Sequence, residues 1–155
     1  MVILMPIVRM ISHVLAAVFN NARDFEQRWR LAAPPPSAAN ELQGRWVGEW
    51  ISEANGHRGA LRCILSKDRT GGFEALFHAK FCGGLRVCYT APLHGQMNGS
   101  RLLLDGEMDI GKLAGGIYSY KGDANENEFT CSYRCKYDHG VFQMKPAPTE
   151  TVNNK

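Results

Sequence analysis

A mainly β protein is predicted, an eight-stranded antiparallel up-and-down barrel preceded by an amphipathic helix. Two observations carry this. Three stretches alternate apolar and polar residues with period two, the mark of a strand with one buried face. Between these and five weaker stretches of the same kind fall short breaks of turn chemistry, with no helical pattern anywhere from residue 44 to residue 145. Hairpin-linked strands in unbroken succession close most simply into a barrel. A two-sheet sandwich stays open as the alternative, because spacing alone does not establish closure.

The elements follow in chain order. Residues 1–19 are strongly apolar but interrupted by Pro6, Arg9 and His13. A secretory signal carries its positive charge ahead of the apolar run, whereas Arg9 falls in the middle of this one. From Ile11 the pattern becomes helical: Ile11, Val14, Leu15, Val18, Ala22, Phe25 and Trp29 recur at spacings of three and four and define one face. His13, Asn20, Arg23, Asp24, Gln27 and Arg30 fall mostly elsewhere. Such a helix, within residues 1–32, has three roles open to it: packing on its own domain or a partner, lying in a membrane interface through residues 1–30, or continuing the apolar start into an anchor. Localisation, cell envelope or cytoplasm, hangs on that choice. Residues 33–43 contain three consecutive prolines, which end the helix and favour an extended spacer.

The barrel domain is assigned to 44–145. "GRWVGEWISE" alternates Trp46, Gly48 and Trp50 against Val47, Glu49 and Ile51. "FEALFHAKF" sets Phe73, Ala75, Phe77, Ala79 and Phe81 against Glu74, Leu76, His78 and Lys80. "FTCSYRCKY" sets Phe129, Cys131, Tyr133, Cys135 and Tyr137 against Thr130, Ser132, Arg134 and Lys136. Weaker strands fit 57–66, 85–93, 100–109, 116–121 and 139–145, with breaks at Asn55-Gly56, Gly71-Gly72, Gly83-Gly84, Asn98-Gly99, Gly115-Gly116 and Asn125–Asn127. Asn55-Gly56 suits a type I′ turn, which needs positive φ at both central residues. The tail 146–155 has no apolar periodicity and is assigned as disordered.

Composition narrows function. A length of 155 residues suits one domain, and 45% hydrophobic with 21% charged residues is a globular composition. A net charge of +3 without any basic run gives no nucleic-acid footprint, so no nucleic-acid partner is expected. Five cysteines leave at least one thiol unpaired, and no CxxC spacing points to zinc or a redox pair. Buried thiols are the simplest account, with a bridge from Cys63 to Cys131 or Cys135 left open for an oxidising compartment. Cys82 and Cys88 flank a turn beside Lys80 and Arg86, cations that lower a thiol pKa. There is no GxSxG, HExxH, P-loop or dinucleotide fingerprint, and no cofactor is expected.

Two candidate sites follow from the barrel. The first is its interior, with Trp46, Trp50, Phe73, Phe77, Tyr89, Tyr118, Tyr120, Tyr133 and Tyr137 as lining. Eight strands enclose a bore that side chains fill or that holds one small ligand. A small apolar or aromatic ligand is the favoured occupant, and a filled interior serving a protein-interaction or structural module is the alternative. The second site is a rim. Alternate turns share one end of an up-and-down barrel, so the turn at Ala54–His57 neighbours that at Asp138–Gly140 although some 80 positions of sequence separate them. His57, Asp138 and His139 would supply two imidazoles and a carboxylate to a metal or an acid–base pair. Otherwise they cap hairpin ends through local backbone. His94 belongs at the opposite rim.

"LQGRW" supplies a Gly-x-Trp at the start of the first strand and resembles the motif of the calycin group of lipocalins, fatty-acid-binding proteins and avidins. The resemblance implies that Trp46 closes one end of the barrel under a basic residue of the last strand. Lys145 is the nearest candidate, where the family usually has Arg. "NGHRGALRC" and "YRCKYDHGVFQM" resemble stretches of an uncharacterised bacterial protein group, which implies no function.

Overall fold

The computed structural model describes residues 21–32, 42–80, 86–109 and 116–148. Helix α1 (Asn21–Leu31) precedes eight strands: β1 (Gly44–Ser52), β2 (Arg58–Lys67), β3 (Phe73–Lys80), β4 (Arg86–Asn98), β5 (Arg101–Asp109), β6 (Ile117–Ala124), β7 (Phe129–Arg134) and β8 (His139–Pro146). Each strand pairs with the next, and β1 pairs antiparallel with β8, so the sheet closes into a barrel. Closure gives every strand a partner on each side and leaves no free edge strand. The sandwich alternative is thereby set aside.

Alternation sorts the side chains as predicted. Along β3, Phe73, Ala75, Phe77 and Ala79 are buried inward while Glu74 and Lys80 are exposed; along β7, Phe129, Cys131 and Tyr133 are buried while Thr130, Ser132 and Arg134 are exposed. β4 runs further than its weak alternation suggests, because it changes partner along its length. Arg86 to Leu93 pair with β3, and His94 to Asn98 pair with β5. Pro92, which has no N–H to give, sits where the β5 ladder has stopped.

The two ends of the barrel differ. At the lower end Trp46 and Phe129 are both 0% exposed, meet edge to face at 5.6 Å, and pack in one cluster with buried Leu42. Trp46 Nε1 donates to the Leu42 carbonyl at 3.1 Å, so the indole closes this end with its polar group satisfied. His94 lies on this side, acting electrostatically on Asp68 of the β2–β3 turn. At the upper end the turns after β1 and β7 are bound together: Ser52 Oγ donates to Asp138 Oδ1 at 2.6 Å, and Glu53 N to the His139 carbonyl at 2.9 Å.

Three expectations change. The β1–β2 connection is a loop over residues 53–57 rather than a type I′ turn: Ser52 N donates to the His57 carbonyl, and Gly56 alone takes positive φ, at 75°, with no non-glycine residue there among those described. Tyr137 is 59% exposed, because β7 ends at Arg134 and the chain turns at Cys135–Asp138, held by Cys135 N donating to the Asp138 carbonyl at 2.8 Å. Cys63, Cys88, Cys131 and Cys135 are all free thiols; β2 and β7 are not neighbours, which removes the strand-to-strand bridge.

Outside the barrel, α1 packs on β2–β4. Phe25 is 1% exposed against Ile64 and Cys88, with Trp29, Ala32 and Leu76 around it. Of the three roles open to the helix, packing on its own domain describes residues 21–32. No helix among the described residues is long and apolar enough to cross a membrane. The expectations for residues 1–20, 33–41 and 149–155 lie outside the described residues, as does that for Cys82, whereas Leu42 of the assigned spacer and Ala147 of the assigned tail are buried and Pro146 ends β8.

Candidate functional site

Three places hold the chemistry: the interior, the upper rim and the outer wall under α1.

In the interior, aromatic rings meet across the bore. Phe142 of β8 lies 5.1 Å from Phe77 of β3 and 5.1 Å from Tyr133 of β7, and Tyr120 of β6 is 6.4 Å from both phenylalanines. These separations are ring contacts. β6 and β8 flank the strand opposite β3 in an eight-stranded barrel, so the contacts of Phe77 with Tyr120 and Phe142 span it. Trp46 and Phe73 belong to the lower half, whereas Trp50 stands opposite Phe142 in register and donates from Nε1 to the Lys80 carbonyl at 2.8 Å. Gly59 makes that bond feasible, since a Cβ there would collide with both the indole and the carbonyl. Tyr118 is partly buried at the top, stacked on Tyr120 at 6.4 Å, with its pKa raised by burial and by its bond to the Cys135 thiol. Tyr89 faces Phe77 in register, but its side chain lies outside the described residues. Tyr137 does not belong to the set.

The rim residues are neighbours, as the topology requires, but they form no metal centre. Both Asp138 oxygens are engaged: Oδ1 accepts from Ser52 Oγ and from His139 N at 2.8 Å, and Oδ2 accepts from Tyr133 Oη at 3.0 Å. Asp138 therefore staples two hairpins. His57 is exposed, its N–H donating to Asn55 Oδ1 at 2.9 Å, and His139 Nε2 stands 4.0 Å from Glu53 Oε2. Among the described residues no three His, Cys, Asp or Glu gather to hold a metal. Asp138 caps its hairpin as the plainer reading had it, whereas at the first turn the cap is the Asn55 side chain, which accepts from the His57 backbone N–H.

Burial pushes Cys88 up to about 11 and Cys131 up to about 12, and raises Cys63 well above its ordinary value. A thiol that resists ionisation is a poor nucleophile. For Cys88 desolvation outweighs the nearby Arg62, contrary to the depressed value its basic neighbours suggested.

The outer wall holds the feature that the sequence reading missed. A cleft of about 380 Å³ opens beside α1, lined by Glu26, Ala60, Arg62, His78, Lys80 and Arg86. β2, β3 and β4 collect these residues by register, Arg62 opposite His78 and Lys80 opposite Arg86. The helix builds the other side. Phe25 stacks on the His78 ring at 4.8 Å, and the Arg62 guanidinium lies 4.8 Å over Phe25 and 5.1 Å over Trp29. Glu26 accepts from both terminal nitrogens of Arg62, which holds its carboxyl below the usual range. Ile64, Leu76 and Cys88 sit on the outward phase of their strands, and an apolar patch in that phase across neighbouring strands is the signal that would have revealed a covered wall. Lys145, the basic partner suggested for Trp46, is exposed and faces Val47 on the outside of the barrel, so the sheet separates it from the indole.

His78 is 2% exposed, and burial, then Arg62, holds its pKa below 6.5. As pH falls below 6.5 the unfolded chain takes up this proton before the folded one does. The stability contributed by the neutral ring is therefore present above 6.5 and lost as pH falls through the folded value. His78→Phe is expected to flatten the acid slope of stability just below pH 6.5, measured as urea midpoints at stepped pH. Parallel curves for the two proteins would contradict the buried neutral ring.

No protein-family model, curated protein or solved structure matches the chain.

Proposed function

We propose that this protein is a non-catalytic binding module whose barrel is a filled scaffold and whose ligand docks outside it, in the cleft between α1 and strands β2–β4. The observation that carries this reading is the ring layer of Phe77, Phe142, Tyr120 and Tyr133 across the bore. A layer of touching rings takes up the space an interior ligand would need. The cleft, by contrast, has a volume within the range of small-molecule sites. The raised thiol pKa values and the engaged Asp138 argue against a nucleophile or rim-metal mechanism.

A second reading is an apolar or aromatic ligand inside the upper half of the barrel. It is favoured by Met108 and Tyr118, which are partly buried against the core above the ring layer. A calycin-like origin, and with it the bacterial group, belongs to this second reading; Trp46 sealing the lower end of a closed eight-strand barrel supports it.

Native mass spectrometry of the full chain, purified without detergent and dialysed against high salt, separates the two. A ligand held by charge in an open cleft leaves under salt, so the expected mass is that of the chain alone. An apolar molecule retained through the salt and released by denaturation would overturn the outside reading in favour of the interior one.

A further inference from the structure

The outer cleft carries a charge imbalance. Arg62, Lys80 and Arg86 bring three cations to its wall, and Glu26 is its one carboxylate, already bound to Arg62. Two positive charges remain in excess. His78 adds none near neutral pH, since burial keeps its ring uncharged. Lys80 and Arg86 stand directly opposite each other on antiparallel strands, where side chains start about 5 Å apart and like charges repel. Among the described residues neither has an ion-pair partner.

Several features make this a prepared arrangement rather than a solvated face. The backbone at Lys80 is fixed from inside the barrel, where the Trp50 indole donates to its carbonyl at 2.8 Å. Arg62 is held by Glu26 and by the rings of Phe25 and Trp29, so it keeps its place in the wall. Its bond to Glu26 also leaves the outer pair, Lys80 and Arg86, as the groups with donors to spare. An ammonium and a guanidinium on directly opposed strand positions can reach one oxyanion, which would turn a repulsive pair into two charge-assisted bonds.

We infer that the cleft binds a compact oxyanion, a phosphate or phosphate monoester, bridging Lys80 and Arg86. Two excess positive charges match a phosphoryl dianion better than a single carboxylate. The cleft volume of about 380 Å³ far exceeds one phosphate, so the organic remainder of the ligand would lie along the cleft beside Ala60. The same chemistry is carried by a soluble phosphorylated metabolite and by a lipid phosphate headgroup. This inference rests on the proposal that ligands dock outside the barrel.

The test is a 1H–15N NMR titration of the full chain with inorganic phosphate, run on the wild type and on the double variant Lys80→Gln/Arg86→Gln. Saturable shifts are expected at Ala60, Arg62, His78 and Lys80, with a Kd on the order of 1 mM that weakens about ten-fold in the double variant. Affinity should fall as sodium chloride is raised. Both substitutions are on exposed positions and remove a repulsion, so the variant should keep a dispersed spectrum and melt no lower than the wild type. Absence of saturable shifts, or shifts unchanged in the double variant, would overturn the inference. Sedimentation with phosphatidylcholine vesicles, with and without phosphatidic acid, then identifies the source. Binding that requires phosphatidic acid and is lost in the double variant assigns a lipid headgroup; phosphate binding without sedimentation assigns a soluble monoester. If phosphate fails and no ligand survives high salt, the oxyanion falls alone. A ligand released only by denaturation would take the outside reading down with it.

Discussion

Phe142→Ala is expected to destabilise the protein by about 3–5 kcal/mol, the cost of removing a buried aromatic ring whose surroundings relax only in part. Phe142 is the hub of the interior: it touches Phe77, Tyr120 and Tyr133, which come from three other strands. No neighbour can fill its place without leaving its own contacts. Chemical denaturation of the two proteins measures the difference, and the slope with denaturant should stay unchanged because the same surface is exposed on unfolding. A loss below about 1 kcal/mol would mean that the bore is already loose at this level, which is the result a ligand-holding interior would give.

Phe25→Ala is expected to have the next largest effect, about 3 kcal/mol, with a different signature. Phe25 is the buried anchor of α1, between His78 below and the Arg62 guanidinium above. The surface ion pair Arg28–Asp24, at 3.1 Å and half exposed, holds the helix together but adds little to its docking. Loss of the ring should therefore free the helix while the barrel, closed by its own ladders, stays folded. Hydrogen exchange should rise over residues 21–32 and stay protected in β2 and β3. Equal loss of protection in helix and barrel would show that the two unfold as one unit.

Much of the barrel was legible in the sequence because a half-buried strand repeats every two residues. Trp46, Trp50, Phe73, Phe77, Tyr120 and Tyr133 lie buried inside as the alternation required. Adjacency of the first and seventh turns also follows from topology, and the Ser52–Asp138 bond realises it. Alternation failed where hydrogen bonding ends a strand. Cys135 and Tyr137 keep the rhythm of β7, but the Asp138 carbonyl and carboxylate bend the chain first, exposing Tyr137. Loop conformation was similarly hidden: Asn55-Gly56 fits a two-residue turn, yet Ser52 and His57 close a longer one.

The cleft was the harder case. Its residues are spread from Glu26 to Arg86, and in the sequence Lys80 and Arg86 stand out only as neighbours of Cys82 and Cys88. His78 reads as a solvent-facing strand position, and becomes buried because a helix covers that face. Which strands lie beneath the helix is fixed by tertiary packing, through Phe25 on Ile64 and Cys88, and the helix's own periodicity does not encode that pairing.

The central claim, a filled interior with binding outside it, is tested most directly by xenon. Xenon enters dry apolar cavities and shifts the methyl resonances around them. In the wild type, Leu61, Ala91 and Leu104, all buried inside the barrel, should show no saturable xenon-induced shift, while Phe142→Ala, with its new cavity, should show one. A saturable shift at these methyls in the wild type would contradict the account and return the ligand to the barrel interior.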